Sequence, residues 1–188
     1  MKSHANIYRL CAIGVLSAMV FVANFFSIPL PFEARVHFGN VFCVLSGLLL
    51  GPVSGGLCAG LGGFFYDLTN PIYAAGAPVT FLMKFVIGFV AGVIAFRGGR
   101  RSESFAVNLT GAAAGSIAYV VVYLAKNFIE QYFFLRNPME TVTAALIVKG
   151  SSSLVNAVVA VVVSMLLRPV FLAAMRSSGI DEKLARES

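Results

Sequence analysis

The sequence predicts an all-α integral membrane domain, a single bundle of six transmembrane helices with both termini in the cytoplasm. Three observations carry that expectation. Of 188 residues, 59% are hydrophobic and only 12% are charged. The mean hydropathy is +0.87, and a water-soluble domain of this size needs far more polar surface. The apolar residues gather into six stretches that leave no room for a separate soluble domain. The basic residues are also unevenly shared between the loops. One side holds Lys2, Arg9, Arg97, Arg100, Arg101, Arg168, Arg176, Lys183 and Arg186; the other holds Arg35, Arg136 and the helix-end Lys126. The basic side of a membrane protein faces the cytoplasm. The net charge of +6 is therefore read as topology and not as a nucleic-acid surface.

Helix 1 is expected over residues 7–28, ended by Pro29 and Pro31, and is too long for a signal-peptide core. Helix 2 covers 36–50 and stops at Gly51-Pro52, a turn signal. Helix 3 covers 53–68 and is rich in glycine. Helix 4 covers 78–96, with Pro78 suited to a first helical turn. Helix 5 covers 105–128. Helix 6 covers 141–167, with Pro169 placed just beyond it. Helices 2 and 3 are short for a hydrocarbon core of about 30 Å at 1.5 Å per residue. Cys11, Cys43 and Cys58 all fall in apolar segments, far from any ligand partner, and read as small packing residues. No metal motif and no cofactor motif is present.

On this topology the three outward loops are the chemically richer ones. PLPFEARVHFGN carries Glu33, Arg35, His37 and Asn40; YDLTNPIYAAGAP carries Asp67, Asn70 and Tyr73; NFIEQYFFLRNPME carries Glu130 and Arg136. Helix 6 places Lys149, Ser152, Ser153 and Asn156 at i, i+3, i+4 and i+7, one face of an α-helix. Helix 5 repeats the pattern with Tyr119, Tyr123, Lys126, Asn127 and Glu130, and helix 4 places Thr80 one turn before Lys84. A lysine deep in a membrane helix costs roughly 2.5–3.5 kcal/mol on insertion scales, so it faces a partner or a wet cavity. Lys84 has no acid in its own segment. It is expected to line a pocket with Lys149, Asp67, Tyr123, Asn127, Ser153, Asn156, Thr80, His37 and Asn40. Each has a plainer alternative: Lys149 as a bridge to Asp67 or Glu130, Lys126 and Glu130 as interface residues, the tyrosines as packing.

Other classes have less support. No GxxxxGK[ST] loop is present, so the chain does not energise transport with ATP itself. No HExxH, GxSxG or paired acids point to an enzyme. Helix 1 offers small residues and no polar site residue, with Gly14 and Ala18 one turn apart.

The run of residues 34–96 carries HFGN entering helix 2, the LLLGPVSGG turn, GLGGFFYDL leaving helix 3, and APVTFLMKFVIGFVAG on helix 4. It resembles the substrate-binding S components of energy-coupling factor (ECF) vitamin transporters, in the broad subgroup with riboflavin-type and pyrimidine-precursor-type members. The resemblance implies a six-helix bundle in the plasma membrane of a prokaryote that captures a water-soluble vitamin or precursor from outside. It places Lys84 at the family's helix 4 lysine, and Lys149 and Asn156 on the pocket side of helix 6. It also implies docking on a membrane coupling protein attached to two ATPases, through an Ala-xxx-Ala face of helix 1 whose nearest match is Gly14-xxx-Ala18. The competing expectations are a self-sufficient proton-coupled secondary transporter, with Asp67, Glu130 and the lysines as a relay, and a membrane scaffold or enzyme subunit that binds no tight ligand.

Overall fold

A computed structural model describes residues 2–29, 32, 35–99 and 101–185. Pro31, Glu33, Arg100 and Arg186, named above, lie outside the described residues, as does the side chain of Lys2. The chain is 85% helical, with eight α-helices among the described residues. They are α1 (Lys2–Phe25), α2 (Gly39–Leu50), α3 (Pro52–Leu68), α4 (Pro71–Ala74), α5 (Ala77–Ala95), α6 (Phe105–Ile129), α7 (Met139–Ser177) and α8 (Ile180–Ala185). Among the described residues, four helical stretches are long and apolar enough to cross a membrane: Ile7–Phe25, Ala77–Ala95, Phe105–Phe134 and Met139–Ser177.

Helix α2 has only 12 residues, and 10 of them are buried. A helix that is apolar on every side belongs in a core. It packs against α1, α3, α5, α6 and α7, and Val44, Leu45 and Leu48 are fully enclosed. The turn into α3 uses Gly51 at φ +83°, whose amide N–H bonds Gly47 O. The close approach of α2, α3 and α5 also depends on glycine. A Cβ on Gly55 would lie 2.4 Å from Gly47 Cα, and one on Gly88 would lie 2.4 Å from Gly55 O.

Three expectations need correction. Helix 1 ends at Phe25, not at 28, and helix 2 begins at Gly39. Between them Ser27–Pro29 (β1) pairs antiparallel with Arg35–His37 (β2), Ile28 facing Val36. Pro29 drives Ile28 out of the helical region, and its missing N–H is tolerated in a two-stranded ribbon. An all-α reading missed this ribbon. Secondly, α6 does not stop at 128. It passes into a π-helical turn, Glu130–Phe134, in which Leu135 N–H donates to Glu130 O at 2.9 Å. Thirdly, α7 runs through Pro169 to Ser177. A proline inside a helix costs about 3 kcal/mol. Contacts beyond it offset that cost: Leu172, with Phe171 and Met175, packs on Leu45 and Leu49 of α2.

The end of the bundle away from the ribbon is held by charge. Arg101 pairs with Asp181 of α8 and also donates to Leu49 O at 3.2 Å, while Arg176 pairs with Glu103. Arg168 donates to Ser102 O at 2.8 Å. The amino group of Lys183 on α8 sits 4.0 Å from the centre of the Tyr8 ring.

Candidate substrate-binding cavity

The polar residues of α5, α6 and α7 meet beneath the ribbon. They enclose a cavity of about 120 Å³. Nine of the ten residues singled out in the sequence line it: Asp67 on α3, Thr80 and Lys84 on α5, Tyr123 and Asn127 on α6, Lys149, Ser153 and Asn156 on α7, and His37 on β2. Asn40 does not. It lies behind the wall, fully buried, and accepts from Lys84.

Lys84 is 4% exposed. Its Nζ donates to Asn24 Oδ1 at 3.2 Å and to Asn40 Oδ1 at 3.1 Å, so one ammonium ties α5 to both α1 and α2. Asn24 lines the cavity. The expectation that helix 1 brings no polar residue to the site is therefore wrong. The Asn24 side chain is fixed by its own donation to Val20 O at 2.6 Å. The lysine stem runs across Gly63 of α3, where a Cβ would stand 2.4 Å from Lys84 Cδ.

On the opposite wall Lys149, also 4% exposed, donates to Asn127 Oδ1 at 2.6 Å. Asn127 in turn donates to Tyr123 O at 2.8 Å. Tyr123 stacks on Tyr119, centroids 5.8 Å apart and planes at 14°. Lys126 pairs with Glu130 one turn on, both partly exposed, the geometry of an interface pair worth about 0.3–0.5 kcal/mol. Ser152 donates to Lys149 O at 3.0 Å, whereas the buried Ser153 Oγ has no hydrogen-bond partner among the described residues.

The ribbon closes the third side. Asn156 holds β2 by its backbone, accepting from His37 N and donating to Arg35 O. Arg35 lies over the Tyr73 ring at 4.3 Å and donates to Tyr66 Oη at 2.7 Å. His37 Nδ1 is sealed from solvent, with no hydrogen-bond partner among the described residues. Burial, with the charges of Lys84 and Arg35 nearby, holds that imidazole well below the ordinary histidine range. Arg35 and Tyr73 were visible as loop residues, but Asn24 was not. A single asparagine in MVFVANFF has no periodic partner to mark it.

This fold has known counterparts. The family model of the ECF-type riboflavin transporter S component matches residues 4–174. The chain belongs to that family. A solved structure described as the S component of a bacterial ECF transporter shares the fold. Its TM-score is 0.61 at 23% identity, over 89% of this chain and 96% of that one. No curated protein matches. As an ECF S component the chain is the substrate-binding subunit of a vitamin-uptake transporter in a membrane, and not an enzyme.

Proposed function

We propose that the cavity captures a water-soluble vitamin or vitamin precursor from outside the cell and that Lys84, Lys149, Asn127, Tyr123 and Ser153 bind it. Asp67, Thr80, His37 and Asn156 complete the lining, and Asn40 supports Lys84 from behind. On this reading all six apolar helices traverse the plasma membrane of a prokaryote, the termini are cytoplasmic and the ribbon faces outward. The loaded bundle then delivers its ligand by docking on a membrane coupling protein that carries two ATPases. Gly14 and Ala18 form the docking surface. Both are exposed, and a Cβ on Gly14 would meet nothing within 4 Å.

The observation that carries the reading is the convergence of polar side chains from seven segments on one buried space in an otherwise apolar bundle. Such groups are costly in a membrane core unless they hold something. Affinity would come from burying a small planar ligand between aromatic rings and a few placed polar groups.

Mass spectrometry of small molecules released from the purified protein tests the capture. Reconstitution in liposomes tests the division of labour. The chain alone should bind ligand without accumulating it, and uptake should appear only with the coupling protein and ATPases. Uptake by the chain alone under a proton gradient would mean a secondary transporter, and the absence of any tight ligand would mean a scaffold.

A further inference from the structure

We infer that the ligand carries an anionic group, a carboxylate or a phosphate, and that Lys84 receives it. The inference rests on the reading of this cavity as the substrate site.

The ammonium of Lys84 is enclosed, yet among the described residues its hydrogen-bond partners are two neutral carboxamide oxygens, with the Asp67 carboxylate acting on it from beyond contact. Those two acceptors occupy two of its three N–H donors. A buried charge of this kind is stable when an opposite charge or a full set of hydrogen bonds meets it. The side chain reaches the cavity wall, so the remaining donor is available to whatever fills the space. Gly63 leaves room for the lysine stem to reach this position.

The rest of the lining has the same bias. Among the described residues it holds Arg35, Lys84, Lys126 and Lys149 against one acid, Asp67. Lys126 is countered by Glu130. The remaining contacts suit a neutral planar body. The stacked Tyr119 and Tyr123 provide a flat wall, and Ser153 Oγ and His37 Nδ1 are buried without hydrogen-bond partners among the described residues. A cationic ligand would add to the positive charge of the lining, and a neutral one would leave the ammonium of Lys84 with amide contacts and only the more distant Asp67 as counter-charge. A ring bearing an acid group satisfies both halves of the site.

The test uses matched pairs of probes on the full-length protein in detergent: nicotinate against nicotinamide, pyridoxine 5′-phosphate against pyridoxine, and riboflavin 5′-phosphate against riboflavin. Equilibrium dialysis at 50 and 300 mM salt reads affinity, and mass spectrometry identifies any copurified ligand. The acidic member of any pair that binds should bind at least tenfold tighter, with the gap lost in Lys84→Gln. Where no pair binds, the copurified ligand should prove to be an acid. A neutral member that binds as tightly as its acid, a neutral copurified ligand, or a preference that survives in a folded Lys84→Gln protein overturns the inference. If neither a probe nor a copurified molecule is bound, the substrate-site reading itself falls, and this inference with it. The wild-type comparison stands whether or not the variant folds.

Discussion

His37 and Asn156, 119 positions apart in the chain, are joined by a 2.9 Å hydrogen bond from the His37 amide N–H to the Asn156 side-chain oxygen. The amino half of the same carboxamide donates to Arg35 O at 2.8 Å. One side chain of α7 thus grips both backbone positions that set β2 over the cavity. Asn156→Ala removes both bonds, each about 0.5–1.5 kcal/mol net. We expect ligand affinity to fall about tenfold while helix content is unchanged. Asn156→Asp keeps an acceptor for His37 and should lose less. Equilibrium dialysis and circular dichroism of the two variants check this ordering.

The glycines divide into two groups with opposite expected behaviour. Gly47, Gly55 and Gly88 lie where three backbones touch, and any side chain there collides with main chain. Overpacking of this kind costs about 1–3 kcal/mol, so Gly55→Ala should lower the melting temperature and the yield of folded protein. Gly14 faces open space. Gly14→Leu should leave melting and ligand binding unchanged and abolish uptake in liposomes that contain the coupling protein and ATPases. A Gly14→Leu protein with normal uptake would remove helix 1 from the docking surface.

The depressed His37 value predicts a pH response. The folded protein holds this imidazole neutral, whereas the unfolded chain takes up a proton near 6.5. The stabilisation is therefore complete above pH 6.5 and is lost as the pH falls from there towards the lower folded value. Thermal unfolding should be flat from pH 7 to 8 and decline below 6.5. His37→Gln should make that decline shallower, and a variant with the wild-type profile would assign the response to another group.

The charge cluster at the far end should be separable from the cavity. Asp181 meets Arg101 and, at 3.6 Å, Arg176, with both Arg101 and Asp181 mostly shielded. Asp181→Ala should cost about 1 kcal/mol, increase proteolysis of α8, and leave ligand affinity at the wild-type level. Limited proteolysis beside dialysis reads both effects.

What the sequence made legible follows from which signals are local. The limits of α3 and α5 fall within one residue of expectation because Gly51-Pro52 and Pro78 mark them in the chain itself. The 3.6-residue spacing of Lys149, Ser152, Ser153 and Asn156 was enough to predict that they share a face, and all four line the cavity. The ribbon was hidden because strands of three residues are too short to show a period. Pro169 read as a stop because its cost is local, whereas the contacts that offset it come from α2, more than a hundred residues earlier. Asn24 and Asn40 were harder still. Each has its role through Lys84, and only the packing of three helices brings them to one ammonium.

Helix α7 is continuous over 39 residues, about 58 Å at 1.5 Å per residue and roughly twice the thickness of a bilayer core. Lys149 and Asn156 lie towards one end, Arg168 and Arg176 towards the other. A helix of that length must lean steeply or project from the hydrocarbon, and it acts mechanically as a lever. From Asn156, near the cavity, to Ser177 is about 32 Å of helix, so a swing of about 10° moves the distant tip by about 6 Å. A small change in how β2 is gripped is therefore magnified at the arginine end.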